Sequence, residues 1–268
     1  MKVAHILVML LLMPFLVLSC SPSNKTDTDA PPAIPTEQEE EPSPAEPADT
    51  GEPPDEITNT TAESPGNTQV IALAEPAFEG TVSVEEAIAK RASRRRFSAE
   101  PLNIQELSQI LWAAYGTGVD GTTGATRTVP SAGGTYFLEI YILTGGLEAR
   151  EGLALPAGIY HYNWQQHQLI PVVQGDQRTA MAQTTSYGFI QQAPVSIVLT
   201  VDFHRAARFQ LGERYASMEI GHTTQNVQLQ AEALGLGSVA VAGFDAHKLK
   251  ALLETEFEPF LIIPVGKP

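Results

Sequence analysis

Five cationic side chains fall between Lys90 and Arg96, in a chain of 268 residues whose formal net charge is −15. The stretch reads Arg91-Ala92-Ser93-Arg94-Arg95-Arg96-Phe97. Like charges packed this closely repel one another, and an anionic partner would relieve them. Phosphate is the natural match, because guanidinium offers paired donors to its oxygens and Ser93 adds a hydroxyl. The competing reading is a solvated basic helix end, favoured by the macrodipole at a C-terminus. Taken alone, the cluster fits both.

Other chemistries find little support. There is no Gly-x-Ser-x-Gly elbow, and the single cysteine, Cys20, leaves the body of the chain without a thiol. His161 with His167, and His204 with His222, are not joined to carboxylates at ligand spacing on one helix. Gly235-Leu236-Gly237 lacks the third glycine and the preceding strand of a dinucleotide fingerprint, and no Walker loop is present. His222 reads as a hydrogen-bonded core histidine, with Glu219 one turn before it as a partner.

The elements that must position the basic stretch are legible from period and punctuation. Ser83-Val84-Glu85-Glu86 reads as a capping box, with Val84, Ala87, Ile88 and Arg91 following on one helix. Asn103 and Glu106 cap a second helix with the face Ile104, Leu107, Ile110, Leu111 and Ala114, stopped by Gly116 and Gly118. A Gly-rich loop from Thr117 to Thr135 is long enough to be a binding element, and its 117–129 part is expected to shape an acceptor pocket. Strands are predicted at 136–144, 158–162, 168–173, 195–201, 238–241 and 260–265, the 195–201 run being apolar enough to be buried on both faces. A weak helix is predicted at 179–187. The longest helix runs from about Glu213 to Leu234, with Tyr215, Met218, His222, Gln225 and Leu229 on one face, read as core and dimer packing. Asp245 caps a short helix to about Glu254. Mixed rather than alternating order gives the class α+β.

The N-terminal third is of another kind. Lys2, an apolar run from Ile6 to Leu18 and Ser19-Cys20 follow the plan of a signal peptide, too short to span a membrane comfortably. Val17-Leu18-Ser19-Cys20 resembles a bacterial lipobox, so Cys20 is the expected lipidation site. The chain would then be lipid-anchored in a bacterial cell envelope outside the cytoplasm; an ordinary secreted protein is the alternative. Residues 21–80 hold 14 acidic side chains against Lys25 alone, and 11 of the 20 prolines. Such a segment is expected to stay a disordered linker. Residues 81–268, with 14 cationic and 17 acidic side chains, carry only −3 and are expected to form one domain. No nucleic-acid partner and no metal are expected.

Five separated pieces make sense together. Arg91-Ala92-Ser93-Arg94-Arg95-Arg96-Phe97 resembles the opening motif of the nitroreductase-like FMN flavoproteins. Pro130-Ser131-Ala132-Gly133-Gly134-Thr135-Tyr136, then Arg214-Tyr215 with Glu219-Ile220-Gly221-His222 and Gln225-Asn226, then Ala233-Leu234-Gly235-Leu236-Gly237-Ser238, resemble the SagB-type dehydrogenase branch, as does the closing Ile263-Pro264-Val265-Gly266-Lys267-Pro268. The resemblance implies a nitroreductase-like fold, a central mixed sheet flanked by helices, working as a homodimer with FMN at the subunit interface. It implies that Arg91, Ser93 and Arg95 hold the phosphate and ribityl chain. Pro130, Ser131, Ala132 and Gly133 would come from the partner subunit to line the ring, and backbone amides around Ala242 and Gly243 would face its reactive edge. Lys267 falls where relatives often have an Arg near the phosphate. Arg91 and Arg95 are the expected ligands, and Arg94 and Arg96 are expected to face water.

The function implied is an oxidoreductase passing two electrons from a donor such as NAD(P)H to a small-molecule acceptor, with no catalytic side chain named. An azoline oxidase acting on peptides is an alternative, but its relatives carry a Lys-Tyr pair where this chain has Arg208-Phe209-Gln210-Leu211. A flavin-binding surface module without turnover is the alternative of another class.

Overall fold

A computed structural model of the chain describes residues 69–118, 127–150 and 153–268. The signal segment, Cys20, the linker as far as residue 68 and the centre of the 117–135 loop lie outside the described residues. In chain order the elements are β1 (Ile71–Ala72), α1 (Val84–Lys90), α2 (Ile104–Tyr115), a 3-10 turn (Ala132–Gly134), β2 (Leu138–Thr144), β3 (Leu147–Arg150), β4 (Leu153–Leu155), β5 (Gly158–Asn163), β6 (Gln168–Gln174), α3 (Arg178–Gln183), α4 (Phe189–Gln192), β7 (Val195–Val201), α5 (Phe203–Ala206), α6 (Gly212–Ala233), β8 (Gly237–Ser238), α7 (Ala246–Leu252) and β9 (Glu258–Gly266).

Strands β2, β7 and β9 form the centre of a sheet ordered β1-β6-β5-β2-β7-β9-β8, while β3 and β4 make a separate hairpin. All named pairings in the main sheet are antiparallel; a parallel bridge between Ser93 and Ser238 makes it mixed. Strand alternation sends side chains to two cores. Ile140, Ile142, Ile197, Leu199 and Ile263 meet Leu107, Ile110 and Leu111 of α2 and Val227 and Ala231 of α6. On the other face Tyr141, Leu143, Val198 and Ile262 meet Met181 of α3, Ile190 of α4 and Leu249 of α7. All seven residues of β7 are buried, as its unbroken apolar run requires. The class is α+β, with helices on both faces of the sheet.

Three expectations are corrected. The folded body starts before 81: β1 pairs with β6, Leu73 N–H donates to the His167 carbonyl at 3.0 Å, and Ala77 N–H reaches Gln109. Pro and Glu in this segment hid a strap that docks through these backbone bonds and through Ile71 and Leu73 on the core and Phe78 edge-on against Trp112. Strand β2 begins at 138, because Tyr136 has φ 55°, a left-handed conformation no strand contains. Strand β8 is shorter than 238–241, though the chain keeps pace with β9 as far as a bridge between Val241 and Ile262. Asn103 and Glu106 do form a reciprocal capping box, whereas at α1 Ser83 caps Glu86 N–H and the Glu86 carboxylate goes to Lys90.

Helix α6 ends where Gly235 takes φ +71°. Gly235 N–H bonds to the Glu232 carbonyl and Leu236 N–H to Ala231, the paired bonds of a Schellman motif. This turn delivers β8 to the sheet edge, beside the basic stretch. The buried stripe of α6 is Ala216, Glu219, Ile220, Thr223, Val227 and Ala231. Met218, His222 and Gln225 lie outside it and are exposed, so that face is not core within one chain. Small residues face inward because α6 packs closely on α2 and the sheet.

Candidate functional site

The basic stretch leaves α1 as an extended edge segment. Arg91 ends the helix with φ −52° and ψ 123°, which turns the chain out of helical geometry. Ser93 then bridges Ser238, Arg94 N–H donates to the Ser238 carbonyl at 3.0 Å, and Ser98 N–H donates to the Lys267 carbonyl at 2.8 Å. One strand-like segment is therefore sewn to β8 at one end and to the end of β9 at the other. Extended backbone alternates its side chains, so Arg94 and its neighbours Ser93 and Arg95 leave opposite faces.

Arg94 takes the inner side and is only partly exposed. Its guanidinium forms a two-pronged pair with Glu232, through Nη1 to Oε2 and Nη2 to Oε1 at 3.2 Å, and also reaches the Lys90 carbonyl. Glu232 lies in the last turn of α6, where the macrodipole opposes an anion, and Arg94 compensates. Ser93, Arg95 and Arg96 are exposed, and Arg91 is partly so. Arg95 makes one long contact, Nη1 to the Ser93 carbonyl at 3.5 Å. Neither Arg91 nor Arg95 has an ion-pair partner among the described residues. Lys267 joins the same edge but is ion-paired with Glu100, which lowers the positive charge it can offer. Beyond β8, Ala242 and Gly243 are exposed, and the Tyr187 ring stands where a Cβ on Gly243 would meet it at 3.4 Å. Ser238 to Val241 runs beside Val265 to Ile262 in register, so four residues of extended chain place Ala242 about 13 Å from Ser238.

The Pro130–Gly134 turn is elsewhere. It rests on the middle of α6: Ser131 Oγ donates to Glu219, and His222 Nδ1 lies 3.4 Å from the Pro130 carbonyl oxygen. Gly133 and Gly134 take φ of +59° and +64°, which only glycine adopts at little cost, and both are exposed. Thirteen residues of helix separate Glu219 from Glu232, about 20 Å at 1.5 Å per residue. Within one chain the structure thus groups Arg91, Ser93, Arg95, Lys267, Ala242 and Gly243 along one edge, and keeps Pro130, Ser131, Ala132 and Gly133 apart from them.

A polar centre that sequence reasoning missed stands behind that turn. Glu219 is 1 % exposed and accepts from the Tyr115 hydroxyl, the Ser131 hydroxyl and Phe137 N–H at 3.1 Å. It is not the partner of His222, which is exposed on the next turn. Burial, then the adjacent Glu219, push the Tyr115 phenol far above its ordinary value, so it remains a donor. Arg127, 8 % exposed, lies over the rings of Trp164 at 3.9 Å, Tyr115 at 4.2 Å and Tyr136 at 4.3 Å. Burial lowers its pKa, and its Nε and Nη1 have no hydrogen-bond partner among the described residues. Cation–π contact with three aromatic rings replaces part of the lost hydration. Only the Glu219 in an otherwise neutral helix stripe could have signalled this centre.

A model of the nitroreductase family matches residues 88–267. The chain belongs to the nitroreductase family. The match begins inside α1 and ends at Lys267, so it takes in the basic edge, the Pro130–Gly134 turn and α6. Among nitroreductase relatives, a protein of Methanocaldococcus jannaschii is 36 % identical over 189 residues, covering 69 % of this chain and 91 % of its own. A solved structure from Ralstonia eutropha is 28 % identical with a TM-score of 0.63, covering 75 % of this chain and 91 % of the other. Both are named as putative nitroreductases. A third structure, from Anabaena variabilis, is 23 % identical with a TM-score of 0.60, over 69 % of this chain and 38 % of that one, and shares the fold.

Proposed function

We propose that this nitroreductase-family domain is an FMN-dependent oxidoreductase of the SagB-type branch. It would pass two electrons from a donor such as NAD(P)H to a small oxidised acceptor. The observation that carries the reading is the sheet edge on which Arg91, Ser93 and Arg95 stand outward while Arg94 is consumed by Glu232. Two guanidinium groups without ion partners among the described residues, a hydroxyl between them and a nearby Lys267 form a donor set suited to a dianionic phosphate. The extended chain from Ser238 to Ala242, about 13 Å, would set the phosphate donors and the backbone at Gly243 apart by the ribityl chain and part of the ring together. There, exposed backbone N–H groups would face electron-rich ring atoms as oriented donors. FMN, when bound, supplies the redox chemistry; the chain's residues bind and orient it.

The distance between the basic edge and the Pro130–Gly134 turn supports a composite site in which the turn serves the partner of a homodimer. Leu211 and Met218, 45 % and 53 % exposed on the outward side of α6 and its approach, provide apolar surface for such contact. The N-terminal segment supports a protein tethered through a lipid on Cys20, outside the cytoplasm. Titration of the full chain with FMN tests the central part. Arg91→Ala and Arg95→Ala are each expected to weaken FMN binding about 10- to 100-fold, the worth of a lost hydrogen bond to a charged group. Unchanged affinity in both would overturn the assignment.

A further inference from the structure

We propose that Glu219 is a positioning residue that acts on the partner subunit's flavin, by fixing the turn this chain contributes across the dimer. The inference rests on the FMN reading above. Glu219 is buried in mid-α6, and no Lys or Arg forms an ion pair with it among the described residues. Burying an ionised carboxylate is costly, and an apolar residue would suit a helix stripe beside Val227 and Ala231. What the carboxylate gains is three donors from two other segments. Tyr115 comes from the end of α2, Ser131 opens the turn and Phe137 closes it.

The donors are themselves tied. Ser131 Oγ accepts from Tyr136 N–H at 2.9 Å, and the Tyr115 hydroxyl accepts from Leu138 N–H at 3.0 Å. One carboxylate therefore sets both ends of a turn with positive φ at Gly133, Gly134 and Tyr136. A tyrosine in that region is strained, and such a conformation persists where its surroundings over-determine it. The middle of the turn, Ala132 with the exposed Gly133 and Gly134, is the part proposed to line the ring. On the FMN reading, the turn held by Glu219 serves the site whose phosphate the other chain holds, its anchor standing about 20 Å along α6 from the Glu232 that ties down its own chain's basic edge.

Glu219→Gln addresses Ser131 selectively. With its Oε1 kept toward Tyr115 and Phe137, both donors stay satisfied and the amide nitrogen faces Ser131. Turned the other way, two donors would meet an N–H₂ group, which is worse. The helix and Tyr115 are retained while the Ser131 hydroxyl loses its acceptor.

The test uses full chains carrying two different affinity tags: Glu219→Gln, the double variant Arg91→Ala with Arg95→Ala, and co-expressed dimers containing one of each. Each is titrated with FMN. Glu219→Gln and the double variant are expected to bind about tenfold or more weakly as homodimers. The mixed dimer is expected to recover one site of wild-type affinity per two chains, because the intact basic edge of one chain meets the intact turn of the other. Its second site should carry both defects. Wild-type affinity in Glu219→Gln overturns the inference and leaves the FMN reading standing. A mixed dimer without a tight site overturns action across the interface, as does a wild-type chain that binds FMN as a monomer. If Glu219→Gln does not fold, Ser131→Ala replaces it in the same pairing with the same expected recovery, and failure to recover is equally decisive. A wild-type chain that takes up no FMN overturns both the inference and the reading beneath it.

Discussion

Adjacent arginines, Arg94 and Arg95, have different fates, because successive side chains of an extended edge leave opposite faces. Arg94 is bidentate to Glu232 and flanked by its own backbone bond to Ser238. Arg94→Ala is expected to cost about 1–3 kcal/mol in denaturant unfolding, by leaving a largely buried Glu232 unpaired. Arg95→Ala, exposed, should stay within about 0.5 kcal/mol while losing flavin affinity. Equal stability losses for the two would remove the distinction between a structural and a ligand-facing arginine. The sequence made the cluster visible but not its sorting, because Glu232 is 138 residues away. Ser93 and the small residues at 131–133 were legible through motif resemblance. Glu219 was not, since a lone glutamate on a helix is ordinarily a solvated one, and only the fold shows three donors converging on it.

Most helices and strands could be placed from periodicity and caps, and the elements that escaped are those held by long-range backbone bonds. Strand β1 has two residues and no alternating pattern, yet it and the following strap are fixed by β6 and by His167. His167 Nε2 lies 2.7 Å from Ser108 Oγ and 3.0 Å from the Ala74 carbonyl, with Nδ1 2.8 Å from the Tyr162 hydroxyl. Burial lowers its pKa from 6.5, against smaller upward pulls from the Ala74 carbonyl and Glu75. The folded state therefore binds this proton less readily than the unfolded one. Its contribution to stability is complete above pH 6.5 and is lost as pH falls through the depressed folded value. The melting temperature should drop between pH 7.5 and pH 5, and His167→Gln should flatten that slope; an unchanged slope would show that other groups carry it. At the end of α6, Gly235→Ala is expected to cost about 1 kcal/mol, because φ +71° suits glycine and strains alanine. Gly235 stands one residue beyond the predicted end of this helix, and its Schellman bonds supply the reason for that end.

At the scale of the whole molecule, the mixed order of elements gives the class α+β, while the helix-flanked sheet and a 130–134 turn serving the partner's site are what the family resemblance implies. The structure adds that the turn and the basic edge of one chain are anchored on α6 at Glu219 and Glu232, about 20 Å apart. That separation makes dimerisation part of the proposed activity. Met218→Glu, on the exposed face of α6, is expected to convert a dimer to monomer in sedimentation and to weaken FMN binding with it, since burying a new charge at an interface is costly. A dimer that persists with unchanged flavin affinity would move the interface elsewhere. The central claim is electron transfer through a bound flavin, and one anaerobic absorbance titration of the full chain loaded with FMN tests it most directly. The account predicts that visible flavin absorbance bleaches on addition of NADH or NADPH and returns with a quinone or nitroaromatic acceptor. Flavin that binds but stays oxidised with both donors would contradict it.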